Sequence, residues 1–173
     1  MATGSILLSI GAAVQPDGSA SNTFPAIGRV KSSASAPTPY FLQAAFDAST
    51  EEQIMWSFRM PADYASAPVM KVMYKMTSAT TGGVAFEGRL AAVTDADATD
   101  VDAKAFGTAN TGTATVPGTA GFLDEVSFAL TNADSVAAGD FVVAYLNRDP
   151  ANGSDTATGD CEVVAVAITY TTA

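Results

Sequence analysis

Histidine is absent from this 173-residue chain, and cysteine occurs once, at Cys161. The first absence removes the usual general base, neutral metal ligand and proton shuttle near pH 7. The second leaves no intramolecular disulfide, and Cys161 has no imidazole to activate it; it reads as a small apolar residue at the start of a strand. Charge is also scarce, with Asp, Glu, Lys and Arg making up 15% of the residues, against about 25% in an ordinary soluble domain. Cations are scarcer still: 8 basic against 18 acidic residues give a net charge of −10. The basic residues (Arg29, Lys31, Arg59, Lys71, Lys75, Arg89, Lys104 and Arg148) are scattered along the chain. Phosphate binding needs clustered Lys or Arg, so no nucleic-acid partner is expected, and the acidic balance also disfavours anionic membranes. No apolar run approaches the ~20 residues of a membrane-spanning helix. Residues 5–14, SILLSIGAAV, have the length of a signal-peptide core, but no Lys or Arg precedes them, so export by the general route is not expected. Neither phosphate-cradling glycine motif nor the G-x-S-x-G nucleophile motif occurs.

What is present is alternation. Residues 51–76, EEQIMWSFRMPADYASAPVMKVMYKM, hold two period-2 runs around a Pro-bounded turn. Ile54, Trp56, Phe58 and Met60 share one face of the first run, and Gln53, Ser57 and Arg59 the other. Met70, Val72, Tyr74 and Met76 share a face of the second. The two are expected to form a strand pair that an opposing sheet covers. Further strands are expected near residues 5–14, 40–46, 84–93, 122–130, 141–148 and 162–170, with one short strand inside the loop-rich stretch 94–121. About eight strands, Gly/Pro turns and no helical stretch predict an all-β fold, an antiparallel β-sandwich of jelly-roll type. Its length suits one domain with one substantial core.

The chain divides into residues 1–39, an N-terminal strand and extended docking arm, and residues 40–173, the sandwich. The arm is rich in Pro, Ser, Ala and Gly, yet carries Phe24, Ile27 and Val30. A docked arm and a floppy leader both fit it. Residues 141–148 and 162–170 look apolar on both faces, and such strands are covered on both. A loop, the arm or another subunit could give the outer cover, and another subunit is the one expected here, which makes Val142 and Leu146 interface candidates. Arg59 and Arg148 sit beside apolar strand residues and are candidates for ion pairs within that contact, the alternative being ordinary surface pairs.

No catalytic or cofactor-binding residue is assigned, no cofactor is expected, and the chain is read as a non-enzyme. Asp95, Asp97, Asp100 and Asp102 could gather oxygen ligands for Ca²⁺. Counted as an EF-hand, however, the loop lacks the sixth-position Gly and holds Phe106 where the Glu belongs, and a solvated acidic loop is the simpler reading. Glu87 with Asp124 or Glu125 is the raw material for a glycosidase-type carboxylate pair; solvated or ion-paired surface groups are the default. Asn152-Gly-Ser154 fits a glycosylation sequon, and the surrounding Asn and Asp residues suit a hairpin loop whose side chains cap backbone amides.

The segments WSFRMPADY (56–64), SATTGG (78–83), RDPANGSDTATGD (148–160) and AITY (167–170) resemble tailed-bacteriophage virion proteins, small β-sandwich subunits that decorate or cement capsids or sit on tails. The resemblance runs from about Phe24 to Tyr170 and transfers no functional residue. It implies a structural virion protein on the capsid surface, a homotrimer that bridges major capsid proteins and engages them through its N-terminal segment. The alternative is a tail- or fibre-associated recognition module for carbohydrate or a host surface.

Overall fold

A computed structural model describes residues 2–95 and 98–173. Ten strands are formed among them: β1 (Thr3–Leu8), β2 (Ala26–Lys31), β3 (Tyr40–Phe46), β4 (Glu52–Arg59), β5 (Tyr64–Met76), β6 (Gly83–Val93), β7 (Asn110–Thr115), β8 (Asp124–Ala129), β9 (Phe141–Arg148) and β10 (Cys161–Thr172). A six-stranded sheet runs β2-β3-β10-β5-β8 with β1 also on β10, and a four-stranded sheet runs β4-β9-β6-β7. Every pairing is antiparallel. From β3 to β6, and again from β7 to β10, each connection carries the chain to the other sheet. The fold is an antiparallel β-sandwich of jelly-roll type.

The Trp56 run and the Met70–Met76 run are strands with the alternation read from sequence, but they are not partners. β4 pairs with β9 and β5 with β10 and β8, so the two lie in opposite sheets. Their apolar faces meet across the core: Ile54, Trp56, Met70, Val72, Tyr74 and Met76 are all buried. The Pro-rich connection is thus a crossover between layers rather than a hairpin. Phe86 of β6 centres the core, edge-on to Phe46 at 6.3 Å and to Tyr74 at 5.9 Å. The Trp56 indole N–H, which burial would orphan, donates to the Ser9 carbonyl at 2.8 Å.

Two glycines are required by geometry. Gly82, at φ +91°, has the Ala157 backbone nitrogen 2.9 Å from where a Cβ would stand. At Gly112 a Cβ would lie 2.2 Å from Cδ1 of Phe128, so β7 packs flat against that ring.

The two apolar-faced strands have separate explanations. On β9, Val142, Ala144 and Leu146 point into the core at 0% exposure. Val142 and Leu146 therefore offer nothing to a partner, which corrects their assignment as interface residues. On β10, a register shift between Val163 and Ala165 moves the inward set from Cys161 and Val163 to Val166, Ile168 and Tyr170. A bulge of this kind inserts one residue and switches the alternation, so a strand with one buried face looks apolar on two.

Residues 1–39 contribute to both sheets. β1 lies along β10. Val14 bridges Met55, and Thr23 O accepts from Gln53 N at 3.0 Å, so this stretch follows the free edge of β4. The chain then returns as β2, in register with β3 from Ala26↔Ala45 to Lys31↔Tyr40. Ile27 and Val30 are half-buried within β2, while Phe24 is exposed.

Candidate functional site

The outer face of the four-stranded sheet carries the residues that alternation turns away from the core. In register across β4, β9 and β6 these are Gln53–Asn147–Glu87, Met55–Tyr145–Arg89, Ser57–Val143–Ala91 and Arg59–Phe141–Val93. The stretch 98–109 crosses part of this face. It is held by an ion pair from Lys104 to Asp134 at 2.9 Å, by Gly107 N donating to Leu90 O at 2.9 Å, and by Phe106 tilted on Tyr145 at 5.3 Å. The outer cover predicted for β9 thus comes in large part from the chain's own loop.

Between loop and sheet runs a groove of three adjoining hollows. The first, about 510 Å³, is lined by Arg59, Thr94, Asp95, Thr99 and Phe141, among others. The second, about 240 Å³, is apolar and shares Val93, Val101 and Phe141 with it. The third, about 270 Å³, shares Met55 and Phe106 with the second and adds Glu51, Gln53, Arg89 and Tyr145. From Arg59 to Gln53 the groove follows six residue steps of β4, about 20 Å at ~3.3 Å per residue.

The polar end is tightly built. The Glu51 carboxylate accepts from Asn147 Nδ2 at 2.8 Å; burial, then the Glu51 charge, pushes the Tyr145 phenol well above its ordinary range. Arg89 lies over the Tyr145 ring, its guanidinium carbon 5.5 Å from the centroid, and pairs with Glu87 at 3.0 Å. Gln53 is held by the Ser21 carbonyl and the Asn22 side chain, each at 3.1 Å. Two buried groups here have no protein partner: Asn147 Oδ1 and Arg89 Nε. Asn147 itself is 0% exposed. An unpaired buried polar atom costs about 1–3 kcal/mol. One of these is an acceptor and the other a donor, and they stand on diagonal neighbours of adjacent strands.

The structure separates the residues singled out from sequence. Arg59 reaches the groove, donating from Nε to Gly139 O at 2.9 Å. Arg148 does not reach a surface at all. It is 0% exposed, with Nε and Nη2 on the two oxygens of Asp155 at 2.9 and 2.7 Å and further bonds to Gly159 O and Ala157 O. Burial alone would depress its pKa, but the Asp155 contacts outweigh that and raise it. Its assignment to a subunit contact is corrected: it pins the loop between β9 and β10 over the end of the sandwich.

Of the acidic loop, Asp97 lies outside the described residues. Asp95 lines the groove, and Asp100 accepts from the Asp102 backbone at 3.0 Å. No cluster of three or more potential metal ligands occurs among the described residues. Glu87 and Glu125 stand on opposite outer faces, Glu87 on Arg89 and Glu125 on Lys71 at 2.6 Å, too far apart in the fold to act as a carboxylate pair. Asn152 accepts from Ser154 N at 3.0 Å, as a loop-capping residue does. Cys161 is buried, and burial pushes its thiol pKa far up.

Sequence reasoning passed over Arg89, Asn147, Phe106 and Phe141 as site residues. One signal was available: the outward set of β9, Phe141, Val143, Tyr145 and Asn147, ends polar although the strand is apolar overall.

Fold and groove define the chain as a β-sandwich with one open, partly roofed sheet face. The sequence matches no known protein family and no curated protein. Several solved structures are similar in shape. The CBM35 from Cellvibrio japonicus Abf62 has 7% identity and a TM-score of 0.47, covering 95% of this chain and 92% of that one. The C-terminal CBM6 of LamC, a marine laminarinase from Zobellia galactanivorans, has 10% identity and a TM-score of 0.46, covering 96% and 99%. A family 35 carbohydrate binding module from Clostridium thermocellum has 9% identity and a TM-score of 0.46, covering 95% and 97%. Identities this low carry no residue-by-residue correspondence.

Proposed function

We propose that this chain is a non-catalytic recognition module and that the groove on its four-stranded sheet binds a stretch of saccharide chain. The carrying observation is the build of the groove, in which an apolar wall of Val93, Val101 and Phe141 runs into a polar end of Glu51, Gln53, Arg89 and Tyr145. A sugar hydroxyl offers one donor and two acceptor lone pairs, which suits the mixed donors and acceptors of Glu51, Gln53, Arg89 and Tyr145. The rest of the groove suits the same ligand. Phe141, 41% exposed, offers a face at the other end, flanked by Arg59 and Asp95. A ligand site of this kind combines apolar walls with a few placed polar groups.

The test is affinity electrophoresis and calorimetry of the whole chain against a panel of soluble polysaccharides. At least one neutral polysaccharide should bind, and Arg89→Met and Phe141→Ala should each weaken it about tenfold or more, the loss of one good contact. Absence of binding across the panel, or binding indifferent to both variants, would remove the reading.

A second reading, a structural subunit of a virion such as a capsid cement protein that joins copies of itself and a major capsid protein, draws support from a different region. The projecting half of β2 and β3 exposes Tyr40, Phe41 and Leu42 together, an arrangement suited to a protein contact. Co-sedimentation with purified capsids tests it.

A further inference from the structure

The far end of the ribbon made by β2 and β3 runs past its last sheet neighbour, with Leu42 still resting on Gly11. β10 pairs with β3 only from Cys161↔Phe46 to Val163↔Ala44 and beyond that turns to β1. Residues 40–43 therefore have β2 on one side and no strand on the other. An isolated two-stranded ribbon is marginal in water, yet this one carries apolar groups on both faces. Tyr40 and Leu42 stand on one face, 55% and 41% exposed; Phe41 stands on the other at 39%, opposite Val30.

The ribbon is also electrically unlike the rest. Between residues 23 and 46 the charged residues are Arg29 and Lys31, with no Asp or Glu, leaving 18 acidic residues against the other six basic ones elsewhere. Both cations are exposed at the projecting end, and the Arg29 guanidinium lies over the Tyr40 ring at 5.4 Å.

The opposite end of the same strand has the opposite character. Where β3 finishes, β4 starts and β10 starts, Asp47, Glu52 and Asp160 converge. Asp47 N donates to Glu52 Oε2 at 2.8 Å. Burial first, and then the Asp47 and Asp160 charges, raise the Glu52 pKa, as expected where acids crowd without a counter-ion. Arg148 lies nearby, but its guanidinium is bonded to Asp155 and reaches Asp160 only through its longer-range charge. The cationic tip and this acidic pole are separated by the length of β3, about 20 Å at ~3.3 Å per residue.

We propose that the basic, aromatic tip of the β2–β3 ribbon docks head-to-tail on the acidic pole of a second copy of this chain. The occupant follows from charge complementarity: the tip needs an acidic surface, and every copy presents one. A contact between two different patches is heterologous, and it makes a ring where the rotation closes and a filament where it does not. The inference stands apart from the groove and shares no residue with it.

The experiment is sedimentation velocity on the full chain with charge-swapped variants. The wild type should associate at micromolar concentration in low salt and dissociate near 1 M salt, where the Debye length shrinks to about 3 Å. The tip variant Arg29→Glu/Lys31→Glu and the pole variant Asp47→Asn/Glu52→Gln/Asp160→Lys should each be monomeric alone, with self-affinity down about tenfold or more. Mixed together they should associate, since reversed tip and reversed pole complement one another. A cooperative melting transition and an unchanged circular dichroism spectrum show that each variant is folded. A wild type that stays monomeric in low salt overturns the proposal. So does association that survives either variant, or a mixture that stays monomeric.

Discussion

Asn147 and Arg148 are consecutive residues on β9, both fully buried, and they face opposite ways. Arg148 points inward and spends its guanidinium donors on Asp155 and the carbonyls of Ala157 and Gly159. Asn147 points outward, gives its amide to Glu51 and leaves its oxygen without a protein partner. Equal burial with unequal satisfaction separates two purposes. A polar group placed for stability is saturated by its own chain, because any shortfall is lost stability. Asn147 leaves one acceptor unfilled by its own chain and tolerates the cost.

The largest effect that would test this contrast is on Arg148. Arg148→Met leaves the Asp155 carboxylate buried and unpaired and should cost about 3–5 kcal/mol, the usual penalty for half of a buried ion pair. Urea denaturation would measure it. The double variant Arg148→Met/Asp155→Leu should regain much of the loss, and a double variant no better than the single would show that the backbone contacts of Arg148 matter more than its charge.

A smaller effect is expected one residue earlier. Asn147→Val removes one hydrogen bond to Glu51 and one orphaned atom, so the stability change should stay within about 1–2 kcal/mol. An Asn147 variant as unstable as the Arg148 one would erase the distinction between the neighbours.

The smallest effect belongs to Glu52, which lies opposite Arg148 in the ladder yet bonds to the Asp47 amide instead. Its pKa is raised, chiefly by burial, with Asp47 and Asp160 adding to it. A carboxyl with a raised folded-state pKa is disfavoured when ionised, so the native state loses stability as pH rises through that pKa and regains it in acid. Glu52→Gln should therefore stabilise slightly at neutral pH, with the gain vanishing as pH falls through the carboxylate range. Melting curves across pH would follow it, and a destabilised variant at neutral pH would show that the bond to Asp47 outweighs the repulsion.

The fold was legible where one face of a strand is buried and its neighbour is not. Tyr40–Phe46 and Phe141–Arg148 fall where the alternation puts them, and the inward set of β4 is the Trp56 face. Sheet membership was not legible, because period 2 reports that a face is buried without reporting which sheet buries it. That is why β4 and β5 looked like a hairpin. The bulge in β10 was hidden too, since Val164 and Ala165 are as apolar as the residues they interrupt. β2 escaped notice within Pro- and Ser-rich flanks. The groove was half legible: Arg59 and the polar face of β4 stood out, whereas Arg89 and Asn147 gained meaning only once three strands lay in register. Val142, Leu146 and Arg148 misled for one common reason. Burial inside a subunit and burial between subunits leave the same trace in a sequence.

β10 holds β1 and β3 along one edge and β5 along the other, so the larger layer hangs from a strand made after the three it joins. Until it emerges, β1, β3 and β5 have no shared neighbour, and the nascent chain carries these partly apolar strands without their common partner. Sheets closed by such distant pairings form slowly, and exposed strands invite aggregation meanwhile. Assembly of this layer therefore waits for β10, and its vulnerable period ends when that strand slots into the middle.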